Sequence, residues 1–137
     1  MGKHRIVIVG GGFGGVKAAL ELADDPRFHV TLVADHTDFR YYPTLYRTAT
    51  GGRRMISSIP LTEIFAKKRV HVLNDRMVSI DRKDRTIKTK VGHEVGYEAL
   101  VLALGVKTNY FKIKGLKELS YGIKTNADAE EYKRTHE

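Results

Sequence analysis

The sequence contains no cysteine and no long apolar segment. Within these 137 residues, the lack of cysteine excludes a disulfide framework, a thiolate metal site, a cysteine-ligated iron–sulfur cluster and a redox dithiol. The best apolar run, residues 99–106, is eight residues long and includes a glycine, whereas a membrane-spanning helix needs roughly 20 residues. The apolar stretch near the N-terminus is too short for a signal peptide. These absences favour a cytoplasmic location.

Basic residues outnumber acidic residues, with 24 Lys and Arg against 16 Asp and Glu and a formal net charge of +8. They are spread along the chain, which is typical of a solvated surface; attraction to anionic lipid or nucleic acid is the alternative. No nucleic-acid-binding motif accompanies the charge. The six histidines lack the spacing of metal ligands, and no side-chain pattern suggests hydrolysis. We predict no metal site, no nucleic-acid partner and no catalytic side chain.

The first 35 residues have the pattern of one β-α-β unit. Residues 5–9 and 28–33 are continuous apolar runs, typical of strands buried on both faces of a parallel sheet. Between them, residues 16–23 carry apolar side chains at helical spacing, and Asp25 before Pro26 ends the helix. This pattern predicts an α/β fold of the Rossmann-like, doubly wound type.

The rest of the chain decides which nucleotide-binding class this is. Residues 36–58 look irregular and aromatic, a helix is predicted from residues 58–60 to 68, and residues 70–73 form a third buried strand. A nicotinamide-binding sheet would continue with a crossover helix, but residues 76–98 have no helical period. They predict a three-stranded β-meander instead, with strands at Met77–Ile80, Thr86–Val91 and Glu94–Tyr97. A fourth strand at 99–104 and a polar helix from about Ala127 complete the prediction.

Gly10, Gly12 and Gly15 match G-x-G-x-x-G between a strand and a helix. Gly10 permits the tight turn, Gly12 lets a pyrophosphate approach the backbone, and Gly15 lets the helix pack close to the strand. The helix N-terminus then faces the phosphates. The alternative is a glycine-rich turn that binds nothing.

Asp35 lies 20 residues after Gly15, where an acidic residue that binds the ribose hydroxyls is expected. Asp38 is a second candidate, and an exposed strand-end aspartate without a ligand is the alternative. An acidic residue here would disfavour a 2′-phosphorylated ribose because the charges would repel each other.

Three segments together resemble one family: GGGFGG at 10–15, YPTLYRTATG at 42–51 and LVLALGVKTNYF at 100–111. They are similar to the N-terminal part of the FAD-dependent pyridine nucleotide oxidoreductases, in particular the type II NADH dehydrogenases (NADH:quinone oxidoreductases). The resemblance extends over essentially the whole chain and implies a Rossmann-like domain of the FAD-binding type.

The resemblance also implies positions that bind FAD. They are Gly10, Gly12, Phe13, Gly14 and Gly15 at the pyrophosphate, Asp35 at the adenosine ribose, Met77 at the adenine, Thr44 beside the flavin, and Ala103, Leu104 and Gly105 at a strand end that contacts FAD through its backbone. Leu104 stands where the family usually has threonine, which backbone contacts tolerate.

In the family, electrons pass from NADH through FAD to a quinone or another acceptor. In this family, disulfide reductases and sulfide:quinone oxidoreductases depend on cysteines. Because these 137 residues contain no cysteine, neither of these two enzyme classes fits them. It also implies a cytoplasmic protein with scope for homodimer formation and for peripheral association with the inner face of the cell membrane through a C-terminal part.

The FAD domain of this family is split by an inserted NADH-binding domain. We therefore predict that residues 1–110 are the N-terminal part of the FAD domain and that residues 111–137 lead toward the insertion. A second G-x-G-x-x-G is expected about 30 residues further on, and residues 1–137 alone are expected to be inactive. The alternatives are a stand-alone nucleotide-binding module without catalysis and a reductase of a soluble electron-transfer protein.

Overall fold

The computed structural model describes residues 2–53 and 57–136; residues 54–56, part of the stretch predicted as irregular, lie outside the described residues. In chain order, the elements are β1 (His4–Val9), α1 (Phe13–Ala23), β2 (Phe28–Ala34), β3 (Asp38–Arg40), a 3-10 turn (Tyr42–Thr44), α2 (Leu45–Ala49), β4 (Ser58–Pro60), α3 (Leu61–Ile64), β5 (Val70–Asn74), β6 (Met77–Asp81), β7 (Thr86–Thr89), β8 (Glu94–Gly96), β9 (Ala99–Leu102) and α4 (Asn126–His136).

These elements form two compact units. The first unit comprises Met1–Phe39 and Pro60–Gly105, and the second comprises Arg40–Ile59 and Val106–Glu137. The division predicted at residue 110 concerns the domains of a longer protein and stays a prediction.

The first unit is built on a four-stranded sheet with the order β5-β2-β1-β9, in which neighbouring strands are parallel. Alternate residues of β1 enter two different apolar clusters, as the two-residue period of a strand requires. Ile6 and Ile8 pack with Val16 and Ala19 of α1, whereas Val7 and Val9 face the other side. Burial on both faces explains the continuous apolar run, and the predicted Rossmann-like α/β fold is confirmed.

The predicted meander is present as an antiparallel sheet of β6, β7 and β8. Ile87 of β7 and Tyr97 pack against the face of the main sheet that carries Val7, Val9 and Val33. The meander therefore covers the sheet face where a crossover helix would otherwise pack. The strands β7 and β8 are shorter than predicted, since they end at Thr89 and Gly96.

The predicted helix over residues 58–68 is wrong at both ends. Ser58–Pro60 is a strand that pairs with β3, and the helix is confined to Leu61–Ile64. Ile59 precedes a proline, and a residue before proline is pushed out of the helical region. At the other end, Phe65 has φ −100° and ψ 9°, which ends the helix.

The second unit contains the helix α2, which lies within residues 36–58, where the sequence predicts irregular structure. Leu45 and Ala49 of this helix form an apolar cluster with Ala129 of α4. Beside it, the buried hydroxyl of Ser57 bonds to the Thr48 hydroxyl (3.0 Å) and donates to the Asn126 side-chain oxygen (3.0 Å). The 3-10 turn that precedes α2 contains Pro43 in its first turn, a position that proline favours.

Asp75 connects the end of β5 to the meander. It is 7% exposed, and its carboxylate accepts hydrogen bonds from the backbone N–H groups of Arg76 (2.7 Å) and Val91 (3.3 Å). A hydrogen bond from the Thr89 side chain is the largest cause that lowers the Asp75 pKa, and the two backbone donors lower it further against the effect of burial. The ionised carboxylate therefore stabilises this junction.

We expect Asp75→Asn to lower the thermal unfolding midpoint by several degrees at pH 7, because an amide replaces one acceptor oxygen with a donor. The folded-state pKa lies below the unfolded value. The carboxylate therefore stabilises the fold above about pH 4, and this contribution is lost as the pH falls through the folded-state pKa. Circular dichroism melts from pH 7 to about pH 3 should show the two midpoints converging. Asp84→Asn in the exposed β6–β7 turn is the control. A difference between the unfolding midpoints of wild type and Asp75→Asn that stays constant with pH would contradict the prediction.

Within the described ranges, the structure contains no helix of the length and apolar character needed to cross a bilayer.

Candidate functional site

The predicted site residues of the first unit gather at the edge where the parallel strands end. Val9 of β1 is paired with Val33 of β2 on one side and with Leu102 of β9 on the other. The chain leaves β1 through α1 toward β2, whereas β9 is reached only after β5 and the meander. The direction of winding therefore reverses beside β1. In open α/β sheets, ligands bind in the crevice at such a switch point.

Gly10 makes the turn that leads from β1 into this crevice. Its φ is +117°, a conformation that L side chains rarely adopt, and its N–H donates to the Val33 carbonyl (2.9 Å). A Cβ atom at this position would lie 2.1 Å from the carbonyl oxygen of Ala103. The turn therefore requires glycine for both its conformation and the close approach of β9.

Gly15 is buried where α1 crosses the turn. A Cβ atom there would lie 1.7 Å from the carbonyl oxygen of Gly10. The backbone of the helix thus touches the backbone of the turn, which is the close packing that the third glycine of the motif was predicted to provide.

Gly12 differs from these two glycines because no described atom lies within 4 Å of the place its Cβ would take, outside its immediate neighbours. It is the N-cap of α1 with extended backbone angles, and as a glycine it supplies no side-chain capping bond. The first N–H groups of a helix lack partners inside the helix, and they carry the positive end of its dipole. The open space over Gly12 therefore suits an anionic group such as a pyrophosphate.

Phe13 and Gly14 form the exposed side of the same turn. Phe13 is 47% exposed, and its ring meets the Phe39 ring edge-on with 4.9 Å between centroids. A Cβ atom at Gly14 would lie 3.6 Å from the Ala103 Cβ, so Gly14 lies against the end of β9. Both residues are thus placed at the crevice.

The end of β9 continues alongside the glycine turn. The Ala103 N–H donates to the Val9 carbonyl (2.8 Å), but the strand ends at Leu102, two residues earlier than predicted. Its partner β1 has turned away at Gly10, so no strand remains for the ladder to continue. Leu104 exposes 64% of its surface and Gly105 has φ +72°. A cofactor contact made through the backbone of Ala103–Gly105 would not depend on the side chain at position 104, so leucine is compatible with it.

Asp35 follows the last residue of β2 at the same edge. Its side chain is 55% exposed, and one carboxylate oxygen accepts a hydrogen bond from Nδ1 of His36 (2.8 Å). Asp38, the second candidate, lies in β3. The position of Asp35 beside the glycine turn agrees with the predicted ribose contact, and that role stays a prediction.

Met77 and Thr44 are the remaining predicted site residues. Met77 opens β6, where its side chain packs with the apolar cluster that includes Val33; an adenine contact there would involve its backbone. Thr44 belongs to the second unit, where its hydroxyl donates to the Tyr41 carbonyl (3.0 Å). The roles predicted for Met77 and Thr44 remain predictions.

Sequence reasoning missed Gly11 and His36. A Cβ atom at Gly11 would lie 2.9 Å from the Ala34 Cβ and 3.3 Å from the His36 Nε2 atom. The run of three glycines at 10–12 is a signal of crowding, but the sequence alone does not identify the neighbour that crowds Gly11. Among the residues that the structure describes, no group of three His, Cys, Asp or Glu side chains could hold a metal ion.

Sheet order, glycine turn and helix N-terminus together define a dinucleotide-binding α/β fold of the type in which a meander replaces the third crossover helix. The family model described as "Pyridine nucleotide-disulphide oxidoreductase" matches residues 4–137. The chain therefore belongs to this family, whose members are oxidoreductases that bind FAD. The predicted enzyme class and cofactor are thereby confirmed at the level of the family.

Among similar proteins, the sulfide-quinone reductase of Aquifex aeolicus is 34% identical over 127 residues, which is 91% of this chain and 29% of that protein. The type II NADH:quinone oxidoreductase NdhA of Mycobacterium tuberculosis is 34% identical over 135 residues, which is 93% of this chain and 28% of that protein. The crystal structure of the Aquifex aeolicus sulfide:quinone oxidoreductase superposes with a TM-score of 0.88 and 30% identity, over 97% of this chain and 31% of that one. The chain thus spans less than a third of the length of these proteins.

Proposed function

We propose that this chain is the FAD-binding segment of an oxidoreductase that transfers electrons from NADH to a quinone. The observation that carries the proposal is the open space over Gly12, at the N-terminus of α1 and beside the point where the winding of the sheet reverses. A Cβ would fill this space, and no described side chain does so.

The residues present suit FAD. The backbone of Gly12–Gly15 would hold the pyrophosphate, because helix N–H groups point to the open space. Asp35 would accept hydrogen bonds from the adenosine ribose, and the backbone of Ala103–Gly105 would border the cofactor. When bound, FAD supplies the redox chemistry, and the protein supplies binding, orientation and tuning. We assign no proton transfer to a side chain of this chain.

A quinone acceptor is supported by both of the relatives described above, since each is named for quinone reduction. The two relatives are named for different electron donors, sulfide and NADH. Both are 34% identical to this chain, so sequence identity does not favour one donor over the other. The absence of cysteine favours NADH over sulfide, because oxidation of sulfide on cysteine would require thiols from outside these 137 residues. A quinone dissolved in a membrane would further require the protein to reach the membrane surface, for which a net charge of +8 is favourable on anionic lipid.

We expect protein expressed from its complete gene to purify with bound flavin and to oxidise NADH when a soluble quinone is added. The measurement follows NADH absorbance with and without quinone, with sulfide replacing NADH in a parallel reaction. Protein without flavin and without either activity would contradict the proposal. Sulfide oxidation without NADH oxidation would retain the quinone acceptor and reject NADH, and NADH oxidation with ferredoxin or rubredoxin but not with quinone would point to a soluble acceptor.

Sedimentation with anionic vesicles tests membrane association, and size-exclusion chromatography tests the homodimer.

A further inference from the structure

Asp35 and His36 form a pair whose two members have different exposure. The Asp35 side chain is 55% exposed, whereas the His36 side chain is 18% exposed, and Nδ1 of His36 lies 2.8 Å from Oδ1 of Asp35. An ionised carboxylate only accepts hydrogen bonds, so the proton of this bond belongs to Nδ1. The exposed acid is thus bonded to a side chain that is itself mostly buried.

The His36 ring is held in place against the glycine turn. Its Nε2 atom lies 3.3 Å from the position that a Gly11 Cβ would occupy, and Cδ1 of Leu61 lies 3.3 Å from the same position. Leu61 is fully buried. The missing side chain at Gly11 therefore leaves a niche that His36 and Leu61 share, and the imidazole joins the end of β2 to the turn after β1.

We propose that His36 is a positioning residue that fixes the Asp35 carboxylate in the orientation needed to bind an adenosine ribose diol. The inference rests on the ribose role proposed for Asp35. An exposed aspartate that must be ordered on binding loses side-chain entropy, and a hydrogen bond to a fixed donor removes part of that loss in advance. A carboxylate has about four lone-pair sites, so a bond from His36 leaves capacity for the diol.

The simpler alternative is that His36 only fills the niche beside Leu61. In that case an apolar side chain of similar size would serve equally well. The two roles differ in whether a hydrogen-bond donor at the Nδ1 position matters and in whether its effect depends on Asp35.

The test measures the dissociation constant of FAD for flavin-depleted protein expressed from its complete gene. We expect His36→Leu to weaken FAD binding about tenfold, because the bond to a charged acceptor is lost while the niche stays filled. His36→Asn, whose amide can place a donor near the Nδ1 position, should bind FAD within about threefold of wild type. In an Asp35→Ala background, which leaves no acceptor for the His36 Nδ1 proton at this side chain, His36→Leu should have almost no further effect. His71→Leu on the exposed side of β5 is the matched control and should bind normally.

Equal weakening by His36→Leu in the wild-type and Asp35→Ala backgrounds would overturn the inference, as would wild-type affinity in His36→Leu. If Asp35→Ala alone leaves FAD affinity unchanged, both the ribose role of Asp35 and the inference fail, while the flavin content of the wild type still decides the proposed function separately. A measurement independent of the folding of the leucine variant is the ¹⁵N spectrum of the His36 ring. The Nδ1-protonated tautomer in wild type, lost in Asp35→Ala, supports the inference; the Nε2-protonated tautomer in wild type overturns it.

Discussion

Gly12→Val is expected to abolish FAD binding and to leave the protein folded. The valine side chain would occupy the open space at the N-terminus of α1, where the pyrophosphate is proposed to lie. Loss of two charge-assisted hydrogen bonds would weaken binding at least about a hundredfold. The backbone angles at Gly12, φ −85° and ψ −167°, are accessible to valine, so the fold should lose no more than the difference between glycine and valine at an N-cap, about 1 kcal/mol. Flavin absorbance of the purified protein measures the binding.

Gly2→Val is the matched control for this variant. Gly2 is also a glycine whose Cβ would meet no described atom within 4 Å, but it lies before β1 and away from the crevice. If Gly12→Val has wild-type flavin content and a thermal midpoint close to that of Gly2→Val, the pyrophosphate does not bind at this turn. Loss of flavin from Gly12→Val alone would support the assignment, since the two substitutions add the same side chain.

The parts of the fold that could be predicted depend on short-range physics. A strand buried on both faces must be apolar at every position, so residues 5–9 and 28–33 indicate parallel strands without knowledge of their neighbours. The glycine motif is partly local in the same way, because Gly10 has φ +117° and a Cβ at Gly15 would lie 1.7 Å from the Gly10 carbonyl oxygen. Two features are not local: the approach of Ala103 to Gly10 comes from a distant strand, and Gly12 faces open space rather than a neighbouring atom.

The errors arise where the partner of a segment is distant in sequence. Ser58–Pro60 forms a strand because β3, about 20 residues earlier, is available to pair with it. The helix α2 has five residues, and helices this short are not stable without tertiary contacts, here with Ala129 of α4. Neither the pairing nor the contact has a local signature in the sequence.

The site shows the same division. Asp35 could be located by its distance from the glycine motif, since the length of a β-α-β unit is nearly fixed. His36 is its immediate neighbour, but alternation along a strand gives no reason for its ring to lie over Gly11. That contact arises because the chain turns after Ala34 and because Leu61, from another segment, closes the niche. A residue such as His36, which is proposed to hold Asp35 in place, is therefore harder to predict from the sequence than Asp35 itself.

Gly15→Ala is expected to have the largest effect on stability. The new Cβ would lie 1.7 Å from the Gly10 carbonyl oxygen, a backbone atom that cannot move without separating α1 from β1. That separation would also disturb the packing of Val16 and Ala19 against Ile8. Strain of this kind costs about 3 kcal/mol or more, which corresponds to a thermal midpoint lower by about 10 °C. Thermal and urea unfolding of the purified protein measure the change.

Gly14→Ala, one residue earlier in the same helix, is the control. Its Cβ would make an ordinary contact, 3.6 Å from the Ala103 Cβ, and alanine favours the helix over glycine by about 1 kcal/mol. The two alanine variants should therefore shift the unfolding midpoint in opposite directions. Equal midpoints would mean that α1 can move away from the turn at little cost, and the close approach at Gly15 would then not be what places the N-terminus of α1 in the crevice. Destabilisation by Gly15→Ala, set against the intact fold expected for Gly12→Val, would separate the glycine that builds the turn from the glycine that leaves room for the ligand.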